Sequence, residues 1–387
     1  MTKNLLLCIV LLPLLAGCGK KDDPIPGEDE TKVTLSLADP AATPETKALY
    51  ANLWAIRDKG WIFGHHDDLM YGRTWYGKEG GSDTKDVCGD YPGVYGLDFS
   101  TFMDDRLESS TEENALRLKC MKQAYDRGMV ILACMHLNNP LTGGDAWDNK
   151  NNTVVAQILT EGSETQAKFK LWLDRLAALA KGLKGSDGKL IPVIIRPFHE
   201  HTQGWSWWGS TCTTEQQFVG LWRYFVDYMQ SSGVHNFIYA ISPQMDRQQT
   251  ESDFLYRWPG DKYVDFMGMD CYQGINNNVF VNNLKLLSKI STEKKKPAGV
   301  TETGVEGLRS ADYWVTNIAA PMAGRKMSLL CTWRNKYDPM GQGNHYFSVF
   351  PGHVSVESFK TLYARPDTYF CADLPAMYQP VANITVQ

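Results

Sequence analysis

Short apolar runs alternate with amphipathic stretches along the chain from about residue 45 onward. Eight runs have the length and the β-branched content of strands: residues 62–66, 94–99, 129–136, 191–200, 237–243, 264–272, 298–303 and 328–334. Between them, apolar residues recur every three or four positions and predict helices, most clearly at residues 112–127, 165–181, 215–230, 281–289 and 312–320. The fifth helix of this series is poorly marked. Because strands that are apolar throughout are covered on both faces, the alternation predicts an α/β fold, a single-domain (β/α)8 TIM barrel.

Polar side chains follow seven of the eight predicted strands at the point where each strand ends. They are His65 to Asp67, Asp98, His136 to Asn139, Arg196 to Glu200, Asp270 to Tyr272, Glu302 and Arg334 with Asn335. In a barrel of this kind the carboxyl ends of the strands meet at one mouth, where active sites are built. One polar strand end is an ordinary feature, but seven of them predict a functional site at that mouth.

Two glutamates stand out among these strand ends. Glu200 ends the fourth predicted strand and Glu302 ends the seventh, so both are expected to face the mouth. Two carboxyl groups that flank the bond are what glycoside hydrolysis requires, one protonated and the other ionised. Trp205, Trp208 and Trp333 offer flat faces on which pyranose rings can stack. These residues predict a glycoside hydrolase.

Three motifs resemble those of glycoside hydrolase family 26, whose typical members are β-mannanases: RPFHE at residues 196–200, WSWWG at residues 205–209 and TETG at residues 301–304. The resemblance runs from about His65 to Trp333. It implies that Glu200 is the acid/base and Glu302 the nucleophile of a retaining mechanism. It also implies substrate-binding roles for His136, His199, Trp205, Tyr272 and Trp333, with Tyr272 bonded to the nucleophile and Trp333 under the reacting sugar.

Three further residues are candidates for substrate binding. Trp147 lies on a long irregular loop, His65 lies at the first strand end, and Arg196 begins the strand-four motif. The adjacent pair His65 and His66 is poorly suited to bind one ion, and no Cys-x-x-Cys spacing is present. We therefore expect no metal and no cofactor.

The expected substrate is β-1,4-linked mannan or galactomannan. The resemblance also admits lichenases and β-1,3-xylanases, and a non-catalytic glycan-binding lipoprotein is a further alternative that would lose a carboxylate. The long segments 67–93 and 138–164 predict loops that wall the glycone end of the groove. A walled groove would release a uniform short product, mannobiose, from a chain end, whereas an open groove would release mixed lengths.

Charge and cysteine content narrow the possible partners. The formal net charge of -5 and the single short basic run at Lys294 to Lys296 argue against binding of nucleic acid.

Leaving aside Cys8 and Cys18, seven of the nine cysteines remain, and an odd number cannot all pair internally. Those in apolar runs are expected to be buried thiols, namely Cys134, Cys271 and Cys331. A Cys88–Cys212 disulfide is left open.

The N-terminus predicts export. Residues 1–17 resemble a lipoprotein signal peptide, with Lys3 before an apolar core and the sequence Leu-Ala-Gly before Cys18, the expected lipidation site. Residues 18–40 are interpreted as the lipidated cysteine and a flexible tether, and residues 41–387 as the catalytic barrel. We expect a monomer that is lipid-anchored in the cell envelope of a Gram-negative bacterium. Whether it faces the periplasm or the exterior is left open, as is an ordinary signal peptide with a chance cysteine.

Overall fold

The computed structural model describes residues 32–272 and 274–387. The predicted signal peptide, Cys18 and the first part of the predicted tether lie outside the described residues. Within the described residues the strands are β1 (Val33–Leu35), β2 (Trp61–His66), β3 (Val94–Asp98), β4 (Val130–Cys134), β5 (Val193–Arg196), β6 (Phe237–Ile241), β7 (Phe266–Cys271), β8 (Ala298–Thr303), β9 (Leu329–Thr332), β10 (Thr368–Tyr369) and β11 (Ile384–Val386).

Helices connect these strands. They are α1 (Pro44–Ile56), α2 (Asp83–Cys88), α3 (Ser100–Met103), α4 (Thr111–Asp126), α5 (Val154–Ile158), α6 (Glu164–Gly182), α7 (Glu215–Ser231), α8 (Glu251–Phe254), α9 (Asn278–Lys294), α10 (Ala320–Met322) and α11 (Val356–Tyr363). Short 3-10 turns lie at Asp261–Tyr263 and Cys371–Asp373, and a π-helix lies at Trp314–Ala319.

Strands β2 to β9 form a closed parallel barrel. They pair in chain order, and β9 pairs with β2, with Phe63 opposite Leu330. Most residues of these strands are buried, because helices cover the outside of the barrel and side chains fill its interior. The predicted (β/α)8 barrel is confirmed, and the eight predicted strands correspond to β2 to β9.

The fourth predicted strand is shorter than the sequence suggested. It was expected over residues 191–200, but β5 ends at Arg196 and the residues that follow form a turn. Phe198 and Glu200 have φ angles of 53° and 55°, which are left-handed and incompatible with a strand. The apolar side chain of Phe198 is buried in this turn, and this explains why its apolarity resembled that of a strand residue.

The helices largely follow the predicted pattern. Helix α7 begins with a capping box in which the Thr214 side chain accepts a bond from the Gln217 backbone, and its buried face includes Trp222. The segment after β6, where the fifth helix was poorly marked, contains only α8 and one 3-10 turn. The helix predicted at 312–320 is mostly the π-helix.

The chain packs onto the barrel before residue 41, where the sequence analysis placed the boundary of the tether. Strand β1 pairs in parallel with β11, and Leu35 and Leu37 are buried. No helix among residues 32–272 and 274–387 is both long and apolar enough to cross a membrane. Cys134, Cys271 and Cys331 are buried as predicted, and Cys88 does not pair with Cys212.

Candidate active site

A cavity of about 730 Å³ opens at the carboxyl ends of the barrel strands. It is lined by His136, Trp147, Glu200, Trp205, Tyr272, Gly274, Glu302, Gly304, Val305, Glu306, Trp333 and Phe347. Six substrate-site or catalytic residues predicted from the sequence lie here beside one another, together with Trp147. Its walls therefore combine two carboxyl groups with several aromatic rings, which is the composition expected of a sugar-binding cleft.

The two glutamates face each other across this cavity. One carboxylate oxygen of Glu200 lies within 4.8 Å of one oxygen of Glu302. Carboxyl groups of retaining glycosidases lie about 5–5.5 Å apart, whereas those of inverting enzymes lie about 6.5–9.5 Å apart to leave room for a water. The observed spacing fits the retaining geometry.

Glu302 is buried and both of its oxygens are held. Arg196 donates a short hydrogen bond to Oε1, and the Tyr272 hydroxyl donates to Oε2 at 2.9 Å. Burial, and then the charge of Glu302, raise the pKa of the Tyr272 hydroxyl well above its ordinary value, so Tyr272 stays a proton donor. These two donors stabilise the ionised form of Glu302 and fix the direction of its carboxylate.

Glu200 has a different environment. Its carboxyl group is half-buried, and the Trp205 indole donates a hydrogen bond to Oε2 at 2.8 Å. Burial, and then the negative charge of Glu302, raise the pKa of Glu200 well above its ordinary value. Glu200 is therefore suited to hold a proton, while Glu302 is held as a carboxylate by a cation and a hydroxyl.

Arg196 does not contact the cleft, contrary to the prediction that it binds substrate. Its side chain is fully buried beneath the two glutamates. One terminal nitrogen bonds both oxygens of Asp270 at 3.0 and 2.9 Å and the Ser242 hydroxyl at 2.8 Å, while the other bonds Glu302. Its position at the last residue of β5 points it into the barrel interior, so that it acts on substrate only through Glu302.

A pair of histidines links the floor of the cleft to Glu302. Asp98 accepts a bond from His136 Nδ1 at 2.6 Å, and His136 Nε2 lies 3.2 Å from Nε2 of His199. His199 Nε2 is in turn 3.9 Å from Glu302. His199 is buried, and burial together with the nearby His136 and Arg196 lowers its pKa well below its ordinary value. His199 is therefore neutral, and its ring packs against that of His136, which lines the cavity.

Asp98 fixes the tautomer of His136. Burial raises the pKa of Asp98, but the hydrogen bond from His136 and those from Ser100 outweigh it, so the net pKa lies well below the ordinary value. An ionised Asp98 keeps a proton on His136 Nδ1, because the carboxylate can only accept.

The predicted tryptophans divide into exposed and buried groups. Trp147 and Trp205 are 56% and 38% exposed, and Trp333 lines the cleft although it is largely buried. The Trp147 ring stacks on His136 at 5.5 Å, which places it over the cleft. Trp208, by contrast, is buried and donates to the His199 carbonyl at 2.8 Å, so the expectation that it stacks on sugar is wrong.

His65 is likewise not part of the cleft. It is buried, and its Nδ1 lies 3.0 Å from Asp68 and 3.3 Å from the Thr84 hydroxyl. The sequence placed His65 at a strand end, but its side chain turns towards the segment that begins α2. Its function in the fold is to hold that segment, and the expectation of a sugar contact is not supported.

Phe347 and Glu306 line the cavity but were not found from the sequence. Phe347 lies in an irregular segment beyond β9, where no periodicity marks it. Its position depends on Asn335, whose side-chain oxygen accepts the backbone N–H groups of Phe347 and Ser348 at 3.1 and 3.0 Å. The polar strand end at Asn335 was visible in the sequence, but the distant segment that it holds was not.

Potential metal donors do come together beneath the cleft. Cys134, His136 and His199 each bring one donor atom to within 4.8 Å of the others. Burial, and then the negative charge of Asp98, raise the pKa of the Cys134 thiol well above its ordinary value. Since a thiol binds metal as the thiolate, and His136 Nδ1 is committed to Asp98, this arrangement favours hydrogen bonding over metal binding.

Comparisons with known proteins agree with this geometry. Residues 38–311 match Glycosyl hydrolase family 26. A mannan endo-1,4-beta-mannosidase of Bifidobacterium adolescentis is 32% identical over 297 residues, which cover 71% of this chain and 28% of that much longer relative. The structure of a family 26 beta-mannanase from Bacteroides ovatus superposes with a TM-score of 0.81 and 35% identity, covering 88% of this chain and 98% of the other.

A second solved structure gives the same result. The catalytic domain of an endo-beta-1,4-mannanase from Bacillus sp. JAMB-750 is 29% identical, with a TM-score of 0.82, and the match covers 93% of this chain and 99% of that domain. The family match spans well over half of the chain and includes both facing glutamates, within a barrel of the same architecture. This chain belongs to glycosyl hydrolase family 26.

Proposed function

We propose that this chain hydrolyses the β-1,4-mannosidic bonds of mannan or galactomannan with retention of anomeric configuration. The observation that carries the proposal is the pair Glu200 and Glu302, facing each other within 4.8 Å at the barrel mouth in a cleft walled by aromatic rings. The mannanases of Bifidobacterium adolescentis and Bacteroides ovatus support the choice of mannan among the β-glycans. The presence of both carboxyl groups argues against a protein that only binds glycans.

In the first step Glu302 attacks the anomeric carbon while Glu200 gives its proton to the departing glycosidic oxygen. The bond from the anomeric carbon to that oxygen breaks as the bond to Glu302 Oε1 or Oε2 forms. The raised pKa of Glu200 keeps it protonated for this step, and Arg196 and Tyr272 hold Glu302 as the carboxylate nucleophile.

In the second step Glu200, now ionised, removes a proton from a water molecule. The hydroxide attacks the anomeric carbon and releases Glu302, which restores both groups. When Glu302 becomes an ester, its negative charge disappears, and this charge is the second cause of the raised pKa of Glu200. The pKa of Glu200 therefore falls between the two steps, as its change from acid to base requires.

Turnover on four polysaccharides tests the substrate: galactomannan, linear mannan, mixed-linkage glucan and β-1,3-xylan. We expect kcat/KM to be highest on one of the two mannans, and no release of reducing sugar by Glu302→Ala on any of them. Highest turnover on the glucan or the xylan would instead establish a lichenase or a β-1,3-xylanase. NMR of the first product anomer tests the stereochemistry, and an inverted anomer would contradict the role of Glu302.

We also propose that the protein is a monomer anchored in a Gram-negative envelope through a lipid on Cys18. The support is the Leu-Ala-Gly-Cys sequence after an apolar segment, followed by a polar stretch. Radiolabelled fatty acid should be incorporated into the wild-type chain expressed in a Gram-negative host, and not into a Cys18→Ala variant. Incorporation into both chains would contradict this site.

A further inference from the structure

Two exposed tyrosines form an aromatic surface at the barrel mouth, outside the cavity that holds the glutamates. Tyr76, in the segment after β2, is 49% exposed, and Tyr337, in the segment after β9, is 40% exposed. Their ring centroids lie 5.8 Å apart, and the Tyr76 ring is parallel to that of Tyr71 at 6.0 Å. We call Tyr76 and Tyr337 the tyrosine platform.

Hydrogen bonds within its own segment hold Tyr76 in place. Tyr71 and Tyr76 form an antiparallel bridge, closed on the inner side by a bond from Gly72 N–H to the Trp75 carbonyl at 3.0 Å. Gly77 N–H also donates to the Met70 carbonyl at 2.9 Å. Tyr76 is therefore presented by a small hairpin and is not on a free loop.

Arg73, on the same hairpin, connects it to the segment of Tyr337. Arg73 is buried, and its guanidinium donates to the Lys336 carbonyl at 3.4 Å and to Asp338 at 3.0 Å. Its own carbonyl accepts the Asp338 N–H at 2.8 Å. Lys336 and Asp338 flank Tyr337, so these bonds fix Tyr337 beside Tyr76. A ligand that stacks on this surface meets rings that are already positioned, which lowers the entropic cost of binding.

A continuous series of contacts leads from the cleft to the tyrosine platform. The Arg334 guanidinium lies 5.1 Å over the Trp333 ring and 3.6 Å from Asp67. Asp67 accepts a bond from the Tyr71 hydroxyl at 2.6 Å, and Tyr71 stacks on Tyr76. These contacts connect the platform to Trp333, which lines the cleft.

The position of the tyrosine platform on the barrel identifies the end of the polysaccharide that reaches it. Trp205 bonds the carboxyl group of Glu200, which protonates the leaving group, so the aglycone side of the cleft is the side of Trp205. Trp205 follows β5, whereas the platform follows β2 and β9, which are neighbours on the far side of the closed barrel. A chain that extends from Trp205 across Trp333 continues towards Tyr76 and Tyr337 with its glycone end.

We propose that the tyrosine platform binds the glycone end of the polysaccharide, beyond the sugars held in the cleft, by stacking of pyranose faces on the Tyr76 and Tyr337 rings. This inference rests on the proposed function. It departs from the expectation that the segment 67–93 walls off the glycone end, because Tyr76 in this segment is half exposed to solvent. A polysaccharide that extends over the platform is bound in the middle of its chain, and its cleavage gives products of mixed length.

The test compares Tyr76→Ala, Tyr337→Ala and the double variant on manno-oligosaccharides of increasing length. We expect kcat/KM on the longest oligosaccharides to fall about tenfold in the double variant, equivalent to about 1.4 kcal/mol of lost stacking. The shortest substrate that the wild type cleaves should show no change, since it does not reach the platform. With a label on the reducing end, the double variant should also cut long oligosaccharides closer to their non-reducing end.

Two control variants separate stacking from general damage. Tyr76→Phe keeps the aromatic face and should retain the rate of the wild type on long substrates. Leu171→Ala removes a side chain of equal exposure, 49%, on the outer helix α6 and should change nothing. Thermal midpoints of all variants should agree with the wild type, because the altered side chains are exposed.

Two results would contradict the proposed role of the tyrosine platform. One is an unchanged rate of the double variant on every length, and the other is an equal loss on the shortest and the longest substrates. A failure of the proposed function would give a different result, because the wild type itself would then cleave no manno-oligosaccharide. In that event the same variants are compared on oligosaccharides of the glycan that the wild type does cleave.

Discussion

Replacing Arg196 by methionine should destabilise the barrel strongly while leaving its surface unchanged. Arg196 is fully buried and is the cationic partner of both Asp270 and Glu302. Methionine replaces the arginine side chain only about as far as Nε, so the change removes the guanidinium group with its charge and its hydrogen bonds. Two carboxylates then remain in the barrel interior without their cation, where solvation by water cannot replace it.

The size of the effect follows from this burial. Removing one partner of a buried ion pair costs about 3–5 kcal/mol, whereas an exposed pair contributes about 0–1 kcal/mol. The chain offers a matched exposed pair, Lys119 and Glu79, whose side chains are 56% and 67% exposed. Lys119→Met is therefore the control. At about 2–4 °C per kcal/mol for a large domain, Arg196→Met should lower the thermal midpoint by on the order of 10 °C, and Lys119→Met by no more than a few degrees.

The loss should also depend on pH in a defined direction. Burial raises the pKa of Asp270, the charge of Arg196 lowers this pKa, and the charge of Glu302 raises it. Removal of Arg196 should therefore raise the pKa of Asp270 further. The pKa of an Asp carboxyl group in the unfolded chain is about 4. When the pKa in the folded protein is higher than this, the folded state takes up the proton at a higher pH than the unfolded state does. The free energy of unfolding therefore increases as pH falls from the folded pKa to the unfolded pKa.

Because the pKa of Asp270 is raised to about 8 even with Arg196 present, the additional loss in Arg196→Met develops as pH rises above about 8. Thermal denaturation of the wild type and both variants at about pH 7 and about pH 9 measures this. Equal losses in Arg196→Met and Lys119→Met, or a loss in Arg196→Met that does not grow at the higher pH, would refute the reasoning.

Three further predictions concern catalysis. Glu302→Ala should abolish hydrolysis of every substrate, whereas Glu200→Ala should still form the glycosyl-enzyme from aryl glycosides whose leaving group needs no proton; equal losses on both substrate types would contradict these roles. Trp205→Phe removes the 2.8 Å bond that lowers the pKa of Glu200, so the alkaline limb of the kcat/KM profile should move up by about one pH unit, and an unmoved limb would exclude this coupling. Trp333→Ala should reduce kcat/KM by a factor equivalent to about 1–3 kcal/mol through lost stacking; a much lower thermal midpoint at unchanged activity would instead identify a core tryptophan.

The sequence predicted the barrel and the meeting of Glu200 with Glu302 at its mouth because both depend on strand periodicity. Continuous apolar runs identify strands that are covered on both faces, and the residue types at their ends identify the mouth. Glu200 and Glu302 could be placed together on this basis alone, although they lie about a hundred positions apart.

Strand-end position does not reveal the direction of a side chain, and this explains the wrong site predictions. Arg196 and His65 both lie at strand ends, but one points into the barrel interior and the other towards α2. Phe347 and Tyr337 could not be found because they lie in irregular segments. Their positions depend on the long-range hydrogen bonds of Asn335 and Arg73, which no local pattern records.

The three tryptophans that follow Glu200, namely Trp205, Trp207 and Trp208, occupy two different environments. Phe198 and Glu200 both have left-handed backbone angles, and such positions cost about 1–3 kcal/mol each unless the surroundings hold them. The Phe198 ring is held between Trp207 at 6.2 Å and Trp208 at 6.3 Å, and Trp208 also bonds the His199 carbonyl.

The two buried indoles therefore stabilise a strained turn that re-aims the chain after β5, so that Glu200 faces the cleft instead of the barrel interior. The Glu200 backbone N–H completes this turn by donating to the Ser242 carbonyl at 2.7 Å. Only the third indole, that of Trp205, reaches the cleft, where it bonds the carboxyl group that the turn has positioned. The tryptophan cluster is thus mainly a support for Glu200, and among its three rings only that of Trp205 is exposed at the cleft.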